Sequence, residues 1–273
     1  RSETAYEIAD MLKEKLGLEK FETIIIASAE QFPDALAGSY LAVKKQAPIL
    51  LSWKYSIELN EEYINNNLAD DGIIYILGGT TVVPESVENE LVAADYKVVR
   101  LAGDSRFDTN LKILEEAGVN QTDEILIATG TNYADSLSAS ATGKPILLVW
   151  NDRGILYGNQ PEFLAELKEK NCSFTILGGE SAVSAKLEDT IKTYGDVTRL
   201  AGKNRMETSV LVAQKYFDAP ETAVLAYAWN YPDGLCGGSL AYALKAPLIL
   251  TMPKYEQAAV DYAAENDITT GYV

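Results

Sequence analysis

Apolar positions along the first hundred residues fall into two spacings, and each predicts one kind of element. Ile8, Leu12 and Leu16 follow a helical period, so Thr4 to Leu16 reads as a helix with Gly17 as its stop. Thr23-Ile-Ile-Ile-Ala27 is short, unbroken and β-branched, the pattern of a strand buried on both faces. Pro33 to Lys45 reads as a second helix, with proline near its first turn and Asp34 suited to the positive end of the helix dipole. Pro48 to Leu51 predicts a second strand, Asn60 to Leu68 a helix, and Gly72 to Leu77 a third strand. Pro84 to Ala93 follows as a helix and Tyr96 to Leu101 as a fourth strand. Strands alternating with helices imply an α/β fold with a mainly parallel sheet covered on both faces and right-handed crossovers.

The same order of elements returns twice. Arg1-Ser-Glu-Thr4 is matched by Arg106-Phe-Asp-Thr109 and Arg205-Met-Glu-Thr208. The last two are preceded by Arg100-Leu-Ala-Gly103 and Arg199-Leu-Ala-Gly202. Phe32-Pro-Asp-Ala-Leu36 is matched by Tyr133-Ala-Asp-Ser-Leu137 and Tyr231-Pro-Asp-Gly-Leu235. Pro48-Ile-Leu-Leu51 returns as Pro145-Ile-Leu-Leu148 and Pro247-Leu-Ile-Leu250, and Ile76-Leu-Gly-Gly79 as Ile176-Leu-Gly-Gly179. Asp34 to Asp135 is 101 residues and Asp135 to Asp233 is 98. A period that long exceeds the usual solenoid repeat, so each copy is a small domain in its own right. The expected copies are 1–99, 100–198 and 199–273. The motif phase makes the third copy expected to be truncated, without its last strand, helix and strand. The opening at Arg1, inside a motif, is expected to follow a leader that was removed or left out.

Charge narrows the partners. Lys and Arg number 23 against 40 Asp and Glu, a net charge of -17 over 273 residues. Such a surface repels nucleic acid and anionic membranes unless basic groups cluster locally. No apolar run reaches the length of a membrane helix, so neither nucleic-acid binding nor membrane insertion is expected. There is no histidine, and the two cysteines, Cys172 and Cys236, make neither a disulfide framework nor a zinc spacing. No catalytic residue, metal site or cofactor is expected.

Taken together, these motifs resemble tandem cell-wall-binding type 2 repeats of Gram-positive surface-layer-associated and autolysin proteins, including clostridial cell wall proteins. The resemblance rests on Arg199-Leu-Ala-Gly-Lys-Asn-Arg-Met-Glu-Thr208, Phe32-Pro-Asp-Ala-Leu-Ala37, Ala47-Pro-Ile-Leu-Leu51 and Ile76-Leu-Gly-Gly79, and it covers the whole chain. It implies three Rossmann-like or Toprim-like units packed as a pseudo-threefold assembly. It implies a secreted protein of the cell wall or surface layer, held noncovalently by an anionic cell-wall polysaccharide or teichoic-acid-like polymer. Any enzymatic or adhesive activity would then belong to a separate domain. Copy two departs at Tyr133-Ala-Asp135, Asp108 and Asn110, and is expected to contribute less to binding.

Candidate binding residues follow from the chemistry of an anion. Arg100, Arg106, Arg199 and Arg205 offer planar donor forks beside helix N-termini. The alternative is an ion pair locking neighbouring copies, with Glu3, Asp108 or Glu207 as partner. Lys45, Lys144 and Lys245 precede the Pro-Ile-Leu-Leu strands, and Trp53, Trp150 and Tyr255 follow them. Loops beyond the carboxyl ends of parallel strands form the usual ligand crevice, and aromatic faces there suit sugar rings. Asp34, Asp135 and Asp233 are accounted for by the helix dipole alone. The ligand crevice is expected between copies, where the arginine motif of one approaches a post-strand loop of another. Competing readings are a surface-layer or adhesion module with other surface-layer proteins as partners, and part of a peptidoglycan hydrolase whose catalytic domain lies elsewhere.

Overall fold

The structure, a computed structural model, describes residues 2–53, 58–151 and 154–273, except for the side chains of Glu58, Leu59, Gln121, Pro232 and Asp233. Arg1, Lys54, Tyr55, Asp152 and Arg153 therefore lie outside the described residues, as does the side chain of Asp233.

Copy one opens with α1 (Ser2–Leu16), which stops at Gly17 with φ 67°. Its strands are β1 (Phe21–Ser28), β2 (Ile49–Ser52), β3 (Leu68–Leu77) and β4 (Lys97–Leu101), in the order β2-β1-β3-β4. Between them run α2 (Pro33–Ala37), α3 (Ser39–Lys45), α4 (Glu58–Asn67) and α5 (Glu85–Ala93). The single helix expected over Pro33 to Lys45 is thus two. Ser39 Oγ donates to the Leu36 carbonyl at 2.8 Å, which competes with the helical ladder, and a Cβ on Gly38 would lie 2.3 Å from Leu77. Close packing on β3 requires a glycine at this break.

Copy two repeats the plan with α6 (Arg106–Glu116), β5 (Glu124–Thr129), α7 (Ala134–Ala139), β6 (Ile146–Val149), α8 (Gln160–Lys168), β7 (Ser173–Leu177), α9 (Ala185–Lys192) and β8 (Val197–Leu200). Its sheet order, β6-β5-β7-β8, matches that of copy one. Copy three follows with α10 (Arg205–Tyr216), β9 (Thr222–Tyr227), α11 (Pro232–Leu235), α12 (Gly237–Leu244), β10 (Leu248–Thr251), α13 (Gln257–Glu265) and β11 (Thr270–Tyr272), in the order β10-β9-β11. Every strand pairing among the described residues is parallel, and the three sheets are separate.

The Pro-Ile-Leu-Leu strands are edge strands, and each is covered by the first helix of its own copy: α1 on β2, α6 on β6, α10 on β10. Uncovered edges present unpaired backbone groups, and here side chains satisfy them. Asn110 Nδ2 donates to the Ile146 carbonyl at 2.9 Å, and its Oδ1 accepts from Leu148 N at 2.8 Å. Ser209 Oγ accepts from Leu250 N at 3.0 Å. The departure at Asn110 is therefore an edge cap.

The same three helices also join the copies. Helix α6 packs on α2 and α3 of copy one, α10 on α7 of copy two, and α1 on α12 of copy three. These contacts close a ring. Phe32, Tyr133 and Tyr231, the same position in each copy, meet at its centre with ring centroids 5.9, 5.6 and 5.3 Å apart. Offset and edge-on aromatic contacts at that spacing are favourable, and they mark a pseudo-threefold axis.

Candidate functional site

The arginine motif separates into two jobs. Arg100 is the penultimate residue of β4 and turns back under the sheet of copy one. Its Nε bonds Glu88 Oε2 at 2.6 Å, and Nη1 donates to the carbonyls of Gly78 and Val83 at 2.9 and 3.0 Å. Arg199 does the same with Glu188 at 2.6 Å and the Gly178 and Val183 carbonyls at 2.7 and 2.9 Å. The partners are Glu88 and Glu188, not Glu3, Asp108 or Glu207; each pair lies within the unit of one sheet, across the expected copy boundary at 100 or 199. The strand order explains the difference: β4 and β8 lie alongside β3 and β7, which lead into the glycine turn and the helix carrying the glutamate. The threonine of the motif holds the next turn, with Thr109 Oγ1 accepting from Gly103 N at 3.0 Å and Thr208 Oγ1 from Gly202 N at 3.1 Å.

Arg106 and Arg205 occupy the seams. Both begin the helix that docks on the preceding copy. Arg106 Nη1 donates to the Gly130 carbonyl at 2.7 Å, and the residue is otherwise exposed. Arg205 Nη1 donates to the Ala228 carbonyl at 2.8 Å and to the Tyr133 hydroxyl oxygen of copy two at 3.0 Å. Its guanidinium also lies over Tyr133 and Trp229, 5.3 and 4.2 Å from the ring centroids.

Facing each seam arginine is the aspartate of the preceding copy. Asp34 sits in the first turn of α2 and Asp135 in that of α7. Burial pushes the Asp34 carboxyl up to about 6, against the downward pull of Arg106. Burial likewise raises Asp135, opposed by Arg205. Both sit in the first turn of a helix, where the dipole favours the charged form, and burial outweighs that effect. Each carboxylate also packs on a glycine. A Cβ on Gly78 would lie 2.4 Å from Asp34 Oδ2, and one on Gly178 2.4 Å from Asp135 Oδ2. Both glycines have positive φ, 98° and 90°, so the Leu-Gly-Gly turn needs them twice over.

At the seam of copies two and three these groups surround a polar cleft of about 600 Å³. Thr131, Asn132 and Asp135 line it from copy two, with Ser181 beyond the glycine turn, and Lys203 and Arg205 close it. It lies at the carboxyl ends of β5, β7 and β8, where open parallel sheets place their ligands.

The other expected residues are not all gathered there. Lys45, Lys144 and Lys245 sit at the amino ends of β2, β6 and β10, the opposite side of each sheet. Lys45 lies 3.9 Å from Glu116 and over Tyr75, while Lys144 lies 3.1 and 3.5 Å from Asp123 and Glu124. Lys245 is exposed in a left-handed backbone conformation. Trp53 packs half-buried on the core. Trp150 is exposed and stacks on Phe107 with centroids 6.1 Å apart, with Tyr157 against both. Tyr255 is exposed in the loop after β10. The sequence reading missed Trp229, Lys203 and Asn132. Trp229 had a signal: it stands where copy one has Glu30 and copy two Thr131.

The model of cell wall binding domain 2 matches residues 1–88, 100–188 and 199–272. The chain belongs to the cell wall binding domain 2 family. In solved structures, Cwp8 from Clostridium difficile matches over 99% of this chain and 47% of its own, with 29% identity and a TM-score of 0.87. Cwp6 from the same organism matches over 99% and 43%, with 25% identity and a TM-score of 0.83. Among curated relatives, the N-acetylmuramoyl-L-alanine amidase LytC of Bacillus subtilis is 28% identical over 240 residues, 84% of this chain and 45% of its own. The chain spans less than half the length of each of these proteins. Membership makes it a set of three cell-wall-binding repeats. No helix among the described residues is long and apolar enough to cross a membrane.

Proposed function

We propose that the chain anchors a secreted surface protein noncovalently to the wall by binding an anionic secondary polymer at the seams between its copies. The observation that carries this reading is the placement of Arg106 and Arg205. Each belongs to one copy, faces the preceding copy, and keeps guanidinium N–H groups beyond those bonded to backbone carbonyls. A guanidinium fork suits phosphate or carboxylate oxygens in either linkage.

The net charge of -17 sets the difficulty such a site must overcome. Screening limits the distant carboxylates to about 8–10 Å at ordinary ionic strength, so the local balance decides. Lys203 and Arg205 line the cleft, and the Asp135 carboxyl at its floor is pushed toward its neutral form by burial. Arg100 and Arg199 serve this reading as positioning residues, because they fix the glycine turns on which Asp34 and Asp135 rest. Two or three weak seams on one rigid ring engage a polymer together, which raises avidity without a deep pocket.

Co-sedimentation with Gram-positive sacculi tests the reading. Sacculi that keep their secondary polymer should pull the chain down, and sacculi stripped of it by mild acid should not. Equal binding to both would overturn the reading in favour of peptidoglycan itself or a protein partner.

A further inference from the structure

Trp229 is an indole that the fold does not require. Copies one and two place Glu30 and Thr131 at the same point, four residues before the aspartate and two before the aromatic of the axis. In copy three the indole is 58% exposed. An exposed tryptophan leaves a large apolar face in water, and such faces mark binding surfaces more often than other exposed groups do.

The ring is nevertheless held. Its Nε1–H donates to the sulfur of Met252, in the loop after β10. The Arg205 guanidinium lies 4.2 Å from the ring centroid, and Arg205 is itself tied to the Ala228 carbonyl and the Tyr133 hydroxyl. One face of the indole is thus covered by a fixed cation and its edge is pinned. An ordered aromatic face loses little side-chain freedom when a ligand stacks on it.

Chemistry narrows what would stack. A flat aromatic face takes a cation, a nucleobase or the C–H face of a pyranose. Arg205 already supplies the cation, and a second one beside it would be repelled. A nucleic acid would meet the chain's negative field. A sugar ring meets neither objection, and Arg205 also lines the cleft at the seam.

We propose that Trp229 is a sugar platform: a pyranose unit of the wall polymer stacks on the indole face opposite Arg205, and the guanidinium meets an anionic substituent on that unit or its neighbour. This rests on the anchoring reading and adds to it a subsite unique to copy three.

The test uses the whole chain and sacculi that keep their polymer. Trp229→Ala should weaken binding about tenfold, the loss of one well-placed aromatic contact, at unchanged melting temperature. Fluorescence gives a second readout, because the chain has 3 tryptophans. With Trp53 and Trp150 replaced by Phe, the remaining emission should change on adding solubilised polymer. If the unaltered chain binds while Trp229→Ala binds as tightly and the Trp229 emission does not respond, the platform is refuted and anchoring stands. If the unaltered chain does not bind, anchoring falls and the platform with it.

Discussion

The hydroxyl of Tyr133 in copy two donates to the carbonyl oxygen of Ala228 in copy three, 3.1 Å away, and Arg205 bonds both atoms. The next seam has a related link, from the Tyr231 hydroxyl to the Glu30 carbonyl of copy one at 2.6 Å. At the seam of copies one and two the corresponding aromatic is Phe32, which has no hydroxyl to give. The ring is therefore stitched unequally, and Arg106 is the more exposed of the two described seam arginines.

Phe32→Tyr should repair that inequality. Its hydroxyl is expected to reach the Gly130 carbonyl, which now accepts only from Arg106 among the bonds described at that atom. A new hydrogen bond at a part-buried seam contributes about 0.5–1.5 kcal/mol. Chemical denaturation should show a higher midpoint with unchanged slope; a lower midpoint would mean that the three seams do not share one geometry.

Arg100→Gln and Arg199→Gln should each destabilise the chain by roughly 2–4 kcal/mol, since each leaves a part-buried carboxylate and several carbonyls without their donor. Arg106→Gln, at an exposed position, should cost under about 1 kcal/mol. Thermal melts of the three variants distinguish the two classes. Similar losses in all three would erase the division between locks and seam residues.

Much of this was legible in the chain itself. Periodicity and recurring motifs carry the element order, the three units and the parallel sheets, because buried parallel strands leave unbroken apolar runs such as Thr23–Ala27. The motif also placed Arg106 and Arg205 at junctions. It did not separate them from Arg100 and Arg199, since a guanidinium at a strand end and one at a helix start look alike in sequence. Only the strand order brings Arg100 to Glu88. Lysines two to four residues before a strand look near the loops after it, yet the strand's length puts them at the opposite edge. Asp34 read as a dipole residue because burial comes from the packing of α2 on Gly78, which is distant in sequence.

Asp34 gives a dependence on pH whose sign follows from its raised value. Its folded-state carboxyl titrates at about 6, against an unfolded value near 3.8. The folded state therefore binds the proton more tightly, and this group adds stability as pH falls from above 6 toward 4. Asp34→Asn should remove the cost of the buried charge and stabilise the chain at pH 7 by about 1–3 kcal/mol. The difference between the variant and the unaltered chain should shrink as pH falls to about 4. Asp71, Asp123, Glu124 and Glu188 are shifted downward and act in the opposite direction, so the comparison must be made by difference. A difference that stays constant from pH 7 to 4 would show that Asp34 is solvated.

The most direct test of seam binding replaces Arg106 and Arg205 together by Gln and follows co-sedimentation with polymer-bearing sacculi across a salt series. The fold should persist, as circular dichroism would show, because Arg100 and Arg199 keep the turns in place. Affinity should fall about tenfold or more, and its dependence on salt should flatten as two cationic contacts are lost. A folded double variant with unchanged affinity and an unchanged salt slope would contradict the account, and would place the polymer away from the seams.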